Sequence, residues 1–109
     1  MALLMSLPLF ASKETIASYY SNYYHGKTTA SGVVYNKDSL MCAHKTLPFG
    51  TKLKVKNLAN NKTVVVTVTD RGPFIEGREI DLSLAAADSL DFIDKGIQKV
   101  SYEILKETN

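Results

Sequence analysis

Tryptophan is absent from this 109-residue chain, cysteine occurs once, and there are two histidines, His25 and His44. The single Cys42 excludes an intrachain disulfide framework and any cysteine-rich metal cluster. Neither histidine has a dense Asp and Glu cluster around it, so no metal and no other cofactor is expected. A phosphate-cradling loop is missing too, because Gly72 and Gly77 sit in turns without its spacing. Thirteen Lys and Arg against eleven Asp and Glu leave a formal charge of +2. That is too little to argue for nucleic acid, and no basic run is interleaved with aromatics. The length allows one domain with one core, and 45% apolar residues with 22% charged is an ordinary globular balance.

Long apolar runs are also scarce. Ala2 to Phe10 is apolar and precedes the small residues Ala11 and Ser12. It is too short to span a bilayer and reads as the end of a signal-peptide apolar region, with a first strand or frayed end as the plainer reading. Residues 1–12 are therefore expected to be a signal remnant or an unstructured N-terminus, and 13–109 the domain. Export is the expectation from this segment, with no transmembrane span.

What the chain does contain is β signal. Thr15 to Tyr20 is rich in β-branched and aromatic residues, and Leu40 to Ala43 is a short buried run. Leu53–Lys56 and Thr63–Thr69 flank an Asn-rich turn and predict a hairpin. On its first arm Lys52, Lys54 and Lys56 share one face, as a solvated or edge-protecting surface. Val64, Val65 and Val66 predict a strand apolar on both faces. Asp81 to Leu90 has helical spacing at Leu82, Ala86 and Leu90, capped by Asp81 or Ser83. Gly96 stops a turn, and Val100–Leu105 alternates as a closing strand. Short strands, turns and little helix predict a compact, mainly β barrel.

The motifs are more specific. Ala17-Ser-Tyr-Tyr20, His25-Gly26, Thr29-Ala-Ser-Gly32, Ala43-His-Lys-Thr-Leu-Pro-Phe-Gly50, Asn57-Leu58, Asp70-Arg-Gly-Pro-Phe74 and Ile80-Asp-Leu-Ser83 follow in order from Ala17 to Leu105. In these residues the chain resembles the double-psi β-barrel domain of the rare lipoprotein A (RlpA) family. The resemblance implies a six-stranded double-psi barrel with one or two short helices. It also implies a bacterial cell-envelope protein and, in active members, a lytic transglycosylase, a lyase acting on peptidoglycan glycan strands. Expansins and a family of cellulases resemble the same barrel, so the fold favours polysaccharide without fixing the reaction. A monomer is expected.

Cleaving a β-1,4 glycosidic bond requires a proton on the leaving oxygen as positive charge develops at the sugar. In a lytic transglycosylase the 6-hydroxyl of the muramic acid then attacks, so one carboxyl can donate the first proton and accept the second. The resemblance assigns that carboxyl to Asp70, with His44 assisting by a hydrogen bond to the acid or the sugar. Arg71 is expected to bind a carboxylate or carbonyl of the muramyl group. Tyr19, Thr29, Ser31 and Asp81 are further expected substrate contacts.

Plainer roles stand beside these. Asp70 suits a turn before Gly72-Pro73, and Asp81 suits a helix cap or a pair with Arg78. Tyr19, Tyr20, Tyr23, Tyr24 and Tyr35 are either sugar platforms or packing. Cys42 and His44 share a strand face, yet a small buried thiol is favoured over a nucleophile.

The chain departs from the family at one point. Active members carry Ser-Gly-Glu where this chain has Ser31-Gly32-Val33. Valine can neither donate nor accept a proton, which makes a non-catalytic glycan-binding or expansin-like wall-loosening module the alternative. A third reading, a hydrolase using Asp70 and Asp81, predicts reducing ends.

Overall fold

The computed structural model describes residues 12–106. Six strands follow in order: β1 (Lys13–Tyr19), β2 (Met41–His44), β3 (Lys52–Asn57), β4 (Thr63–Asp70), β5 (Arg78–Leu82) and β6 (Ile97–Ile104). A single helix, α1 (Leu84–Ser89), lies between β5 and β6, and a 3-10 turn spans Asn22–Tyr24. The strands close into a barrel in the order β1-β5-β2-β4-β3-β6. Pairs β1–β5 and β2–β4 are parallel and the rest antiparallel. This is the mainly β, six-stranded double-psi barrel expected from the motifs. The signal-peptide expectation covers residues 1–12, of which 1–11 lie outside the described part.

Alternation explains the interior. Leu53 and Val55 of β3, Val64, Val66 and Val68 of β4, Ile80 and Leu82 of β5 and Val100 of β6 are all buried. Successive side chains of a strand point to opposite faces, so these four strands bury alternate residues, while all four residues of β2 are buried. Leu90, Phe92, Ala86 and Ala87 close the core from outside the strands. Buried Asn57 donates from Nδ2 to the Leu90 carbonyl at 2.8 Å, which ties the β3–β4 hairpin to the end of α1.

Four sequence expectations are corrected. Val65 is 41% exposed, so the Val64–Val66 stretch is one-sided: among the described residues nothing covers the outer face of β4 at Val65. The helix begins later than its periodicity suggests. Asp81 and Leu82 belong to β5, where Leu82 pairs with Cys42 on one side and Tyr19 on the other. Pairing on both edges overrides the local helical spacing, and Ser83 caps the helix by accepting from Ala86 N–H at 3.3 Å. The lysines of β3 guard no edge, because β3 has β4 and β6 as neighbours. They form an outward face beside a polar groove of about 430 Å³ that Lys54 and Lys56 help to line. Finally, β6 starts at Ile97 rather than Val100, since Ile97 pairs with Ser18 of β1.

Candidate active site

Three strand ends meet at one mouth of the barrel. Ala43 of β2 is registered with Asp70 of β4 on one side and Asp81 of β5 on the other. Two strand spacings of about 4.8 Å put the α-carbons of the two aspartates about 10 Å apart. Both line a cavity of about 340 Å³, together with Tyr19, Tyr20, Tyr24, Arg71, Phe74 and Arg78. The loop after β4 turns sharply at Gly72, whose φ of +118° suits glycine and whose missing Cβ would stand 3.4 Å from the Phe74 ring.

The Asp70 carboxylate is held from three directions. Its Oδ1 accepts the backbone N–H groups of Ala30 and Arg71, each at 2.9 Å. Its Oδ2 accepts the Tyr20 hydroxyl at 2.5 Å. Burial, reinforced by the Asp70 carboxylate, pushes the Tyr20 phenol far up, so it stays protonated and remains a donor. The Tyr20 ring is stacked on buried Tyr35 at a centroid distance of 4.4 Å. With Oδ1 filled by two N–H donors, Oδ2 is the oxygen on which Asp70 would carry a proton.

Asp81 is bound differently. Its Oδ1 accepts the Ser18 hydroxyl and lies 3.7 Å from Nη2 of Arg78. That Nη2 also donates to Ser18 Oγ at 2.5 Å, while the buried Nε of Arg78 has no hydrogen-bond partner. Asp81 therefore sits in the cleft wall and pairs with Arg78, and it does not cap the helix.

Arg71 lies beside the acid with its guanidinium fixed to the segment after β2. Its Nη1 donates to the carbonyls of His44 at 3.1 Å and Leu47 at 2.8 Å, and its guanidinium carbon lies 4.0 Å from the Phe49 ring centroid.

The remaining expected contacts divide. Tyr19 lines the cavity, but its hydroxyl donates to the Ile93 carbonyl at 2.7 Å and its ring packs edge-on against Phe92. Thr29 is buried, donating to the Val33 carbonyl at 2.6 Å and lying 3.0 Å from Ser31 Oγ. Ser31 Oγ accepts the Val33 N–H at 3.3 Å. These two hydroxyls shape the 29–33 turn that presents the Ala30 N–H to Asp70. Val33 is half exposed on that turn.

His44 is not brought onto Asp70. Its buried imidazole lines a separate cavity of about 210 Å³ with Lys13, Lys45, Thr46 and Glu79. Its hydrogen bonds run to Tyr102 and to the backbone of Thr46 and Leu47. Cys42 is fully buried and burial pushes its thiol up, so the small-hydrophobe reading fits it.

Tyr20 is the site residue that motif reasoning undervalued. The signal was available: Ser18 and Tyr20 are two apart, so on an extended chain Tyr20 follows Ser18 onto the face that meets the aspartates. The Ala30 N–H has no such signature, because a backbone donor carries no residue type.

Comparison with known proteins identifies the family and the fold. The family model described as "Lytic transglycolase" matches residues 12–102. The endolytic peptidoglycan transglycosylase RlpA of Campylobacter jejuni is 51% identical over 90 residues, covering 83% of this chain and 33% of that protein. The Haemophilus influenzae protein of the same name is 50% identical over 93 residues, covering 85% of this chain and 32% of its own length. The chain thus spans about a third of the length of these curated relatives. Among solved structures, the Streptomyces papain inhibitor superposes with a TM-score of 0.71 at 24% identity, over 88% of this chain and 96% of that one. An apo expansin of Clavibacter michiganensis also gives 0.71, at 25% identity, over 91% of this chain and 52% of that one. A protease inhibitor and an expansin share this barrel, so the fold alone does not set a function.

Proposed function

The chain belongs to the lytic transglycolase family, and on that premise we propose that this domain cleaves peptidoglycan glycan strands at the MurNAc–GlcNAc β-1,4 bond, leaving 1,6-anhydromuramyl ends. The observation that carries this reading is the single carboxyl of Asp70, set at the cleft mouth by Tyr20, Ala30 and Arg71. Asp70 delivers a proton from Oδ2 to the leaving glycosidic oxygen as the bond to the anomeric carbon breaks. The 6-hydroxyl of the same muramyl residue then bonds to that carbon and returns its proton to Asp70. No water is consumed, and the carboxyl is restored at the end of the cycle. The Tyr20 hydroxyl stays beside Oδ2 to stabilise the carboxylate formed midway.

Arg71 and Arg78 give this cleft two guanidinium groups, suited to the carboxylate and carbonyl groups of a muramyl residue. Asp81, engaged with Ser18 and Arg78, is a wall residue rather than a base for water. On this reading the protein works in the periplasm or cell envelope after export, and we take it to be a monomer. Among the described residues no helix is long and apolar enough to cross a membrane.

One observation favours a second reading. Residue 33 is valine, where the family resemblance implies a glutamate, and an inert side chain there suits a module that binds glycan without cutting it.

Mass spectrometry of peptide-stripped and intact peptidoglycan incubated with the protein separates these readings. Products ending in 1,6-anhydromuramic acid support the transglycosylase. Reducing ends would support hydrolysis by Asp70 and Asp81, and retention on glycan without products would support the binding module.

A further inference from the structure

His44 has a defined task that does not involve touching Asp70. Its Nδ1 accepts two backbone N–H groups, Thr46 at 3.1 Å and Leu47 at 3.2 Å. Its Nε2 lies 3.1 Å from the Tyr102 hydroxyl, and that hydroxyl donates to Oε1 of Glu79 at 2.8 Å. Since the Tyr102 proton is committed to Glu79, the Tyr102 oxygen accepts from Nε2. The imidazole is thereby fixed as the neutral tautomer with its proton on Nε2 and its lone pair on Nδ1.

The backbone that Nδ1 organises is the backbone that grips Arg71. The carbonyls of His44 and Leu47 accept from the Arg71 guanidinium, and the Phe49 ring lies against it. The loop rejoins the barrel through Gly50 N–H to the Val68 carbonyl and Val68 N–H to the Thr51 carbonyl, each at 2.8 Å. Arg71, in turn, gives its own N–H to Oδ1 of Asp70. An unbroken set of contacts thus links a ring in one cavity to the carboxylate in another.

We propose that His44 is a positioning residue: it locks the 45–50 loop, and through that loop fixes the Arg71 guanidinium in the Asp70 cleft, instead of exchanging protons with the glycan. The consequence for activity rests on reading the Asp70 cleft as the reactive site, whereas the loop contacts do not. A second proton on the ring would convert Nδ1 from acceptor to donor, facing two N–H groups. Acid therefore unlocks the loop. The groups around the ring are Glu79 from β5, Lys13 from β1, Tyr102 from β6, Lys45 on the loop and Arg71 beyond β4. Burial, the largest influence, holds the imidazole below its usual range and so keeps it neutral near pH 7.

Two substitutions in the full chain test this. In His44→Asn, Oδ1 falls near the place of Nδ1 and accepts the same two N–H groups, but the side chain cannot shuttle a proton. His44→Ala removes the acceptor. Hydrogen exchange at the Thr46 and Leu47 amides is expected to quicken at least about tenfold in His44→Ala and to return to near the wild-type rate in His44→Asn. Glycan cleavage is expected to fall about 30-fold in His44→Ala, mainly in kcat, because small misplacements of a site are costly. His44→Asn should recover to within about fivefold of wild type and lose the acid-side fall of the pH profile.

Native amide protection in an inactive His44→Asn protein would overturn the proposal, because the imidazole would then be needed for its proton. Unchanged protection in His44→Ala would overturn it as well. If His44→Ala does not fold, the His44→Asn result decides alone. A wild-type chain that cleaves no glycan defeats the reading of the cleft, and the amide exchange rates still decide the loop claim.

Discussion

The hydroxyl of Tyr20 donates to Oδ2 of Asp70 across 50 residues of sequence, while two backbone N–H groups fill Oδ1. This divides the labour between the two oxygens of one carboxyl. Oδ1 takes both backbone donors, and Oδ2 takes the Tyr20 hydroxyl alone. On the proposed function Oδ2 is the oxygen that exchanges the proton, with Tyr20 beside it as a donor.

Asp70→Asn is expected to lower formation of anhydromuramyl ends by about 10² to 10⁴-fold, the usual contribution of general acid catalysis. The amide oxygen can still accept at the Oδ1 position, so thermal melting should stay close to wild type. Product analysis with a melting curve checks both parts, and a fully active, folded variant would remove the mechanism.

Tyr20→Phe deletes the donor to Oδ2 but leaves the ring stacked on Tyr35. Cleavage should fall about tenfold with little change in KM, and stability by about 1 kcal/mol, as for one lost hydrogen bond. Steady-state kinetics and denaturant melting measure the two effects. A large rise in KM would instead mark Tyr20 as a sugar-binding ring.

Val33→Glu restores an acid at a position that is half exposed, where a charge costs little in folding. Turnover should rise severalfold with the melting temperature unchanged. Equal turnover in a folded, active protein would mean that the cleft operates around valine.

Stability should fall as the solution is acidified from pH 7. The folded pKa of His44 is depressed below 6.5, first by burial, so between those values the unfolded chain binds more protons. Its contribution is complete above about 6.5 and is lost as the pH falls through the lower folded value. For Glu79, burial alone would raise the pKa, but the Tyr102 hydrogen bond and Lys13 outweigh it and hold the carboxyl below 4.5. Its stabilisation is present above that value and is lost below it. Melting temperatures from pH 8 to 3 should therefore decline in two stages. His44→Asn should flatten the first stage and Glu79→Gln the second.

Much of this molecule was written in local pattern. The β3–β4 hairpin followed from alternation at Leu53, Val55, Val64 and Val66 around an Asn-rich turn, in which Asn61 takes a positive φ of 65°. Strand β5 was hidden because Ile80-Asp-Leu82 runs into an alanine-rich helix, and only its neighbours β1 and β2 make it a strand. The motif around Asp70 marked it as the candidate acid, but no pattern joined it to Tyr20 or to the Ala30 N–H.

The sequence by itself determined the β class and marked Asp70 as the candidate carboxyl, because residue type and short-range periodicity act within a few residues. Barrel closure decided the rest. By setting β2 between β4 and β5, it put Asp70 and Asp81 into one cleft and turned the His44 ring away into another. Which side chains meet depends on strand order and register, and these are properties of the closed sheet rather than of any one segment.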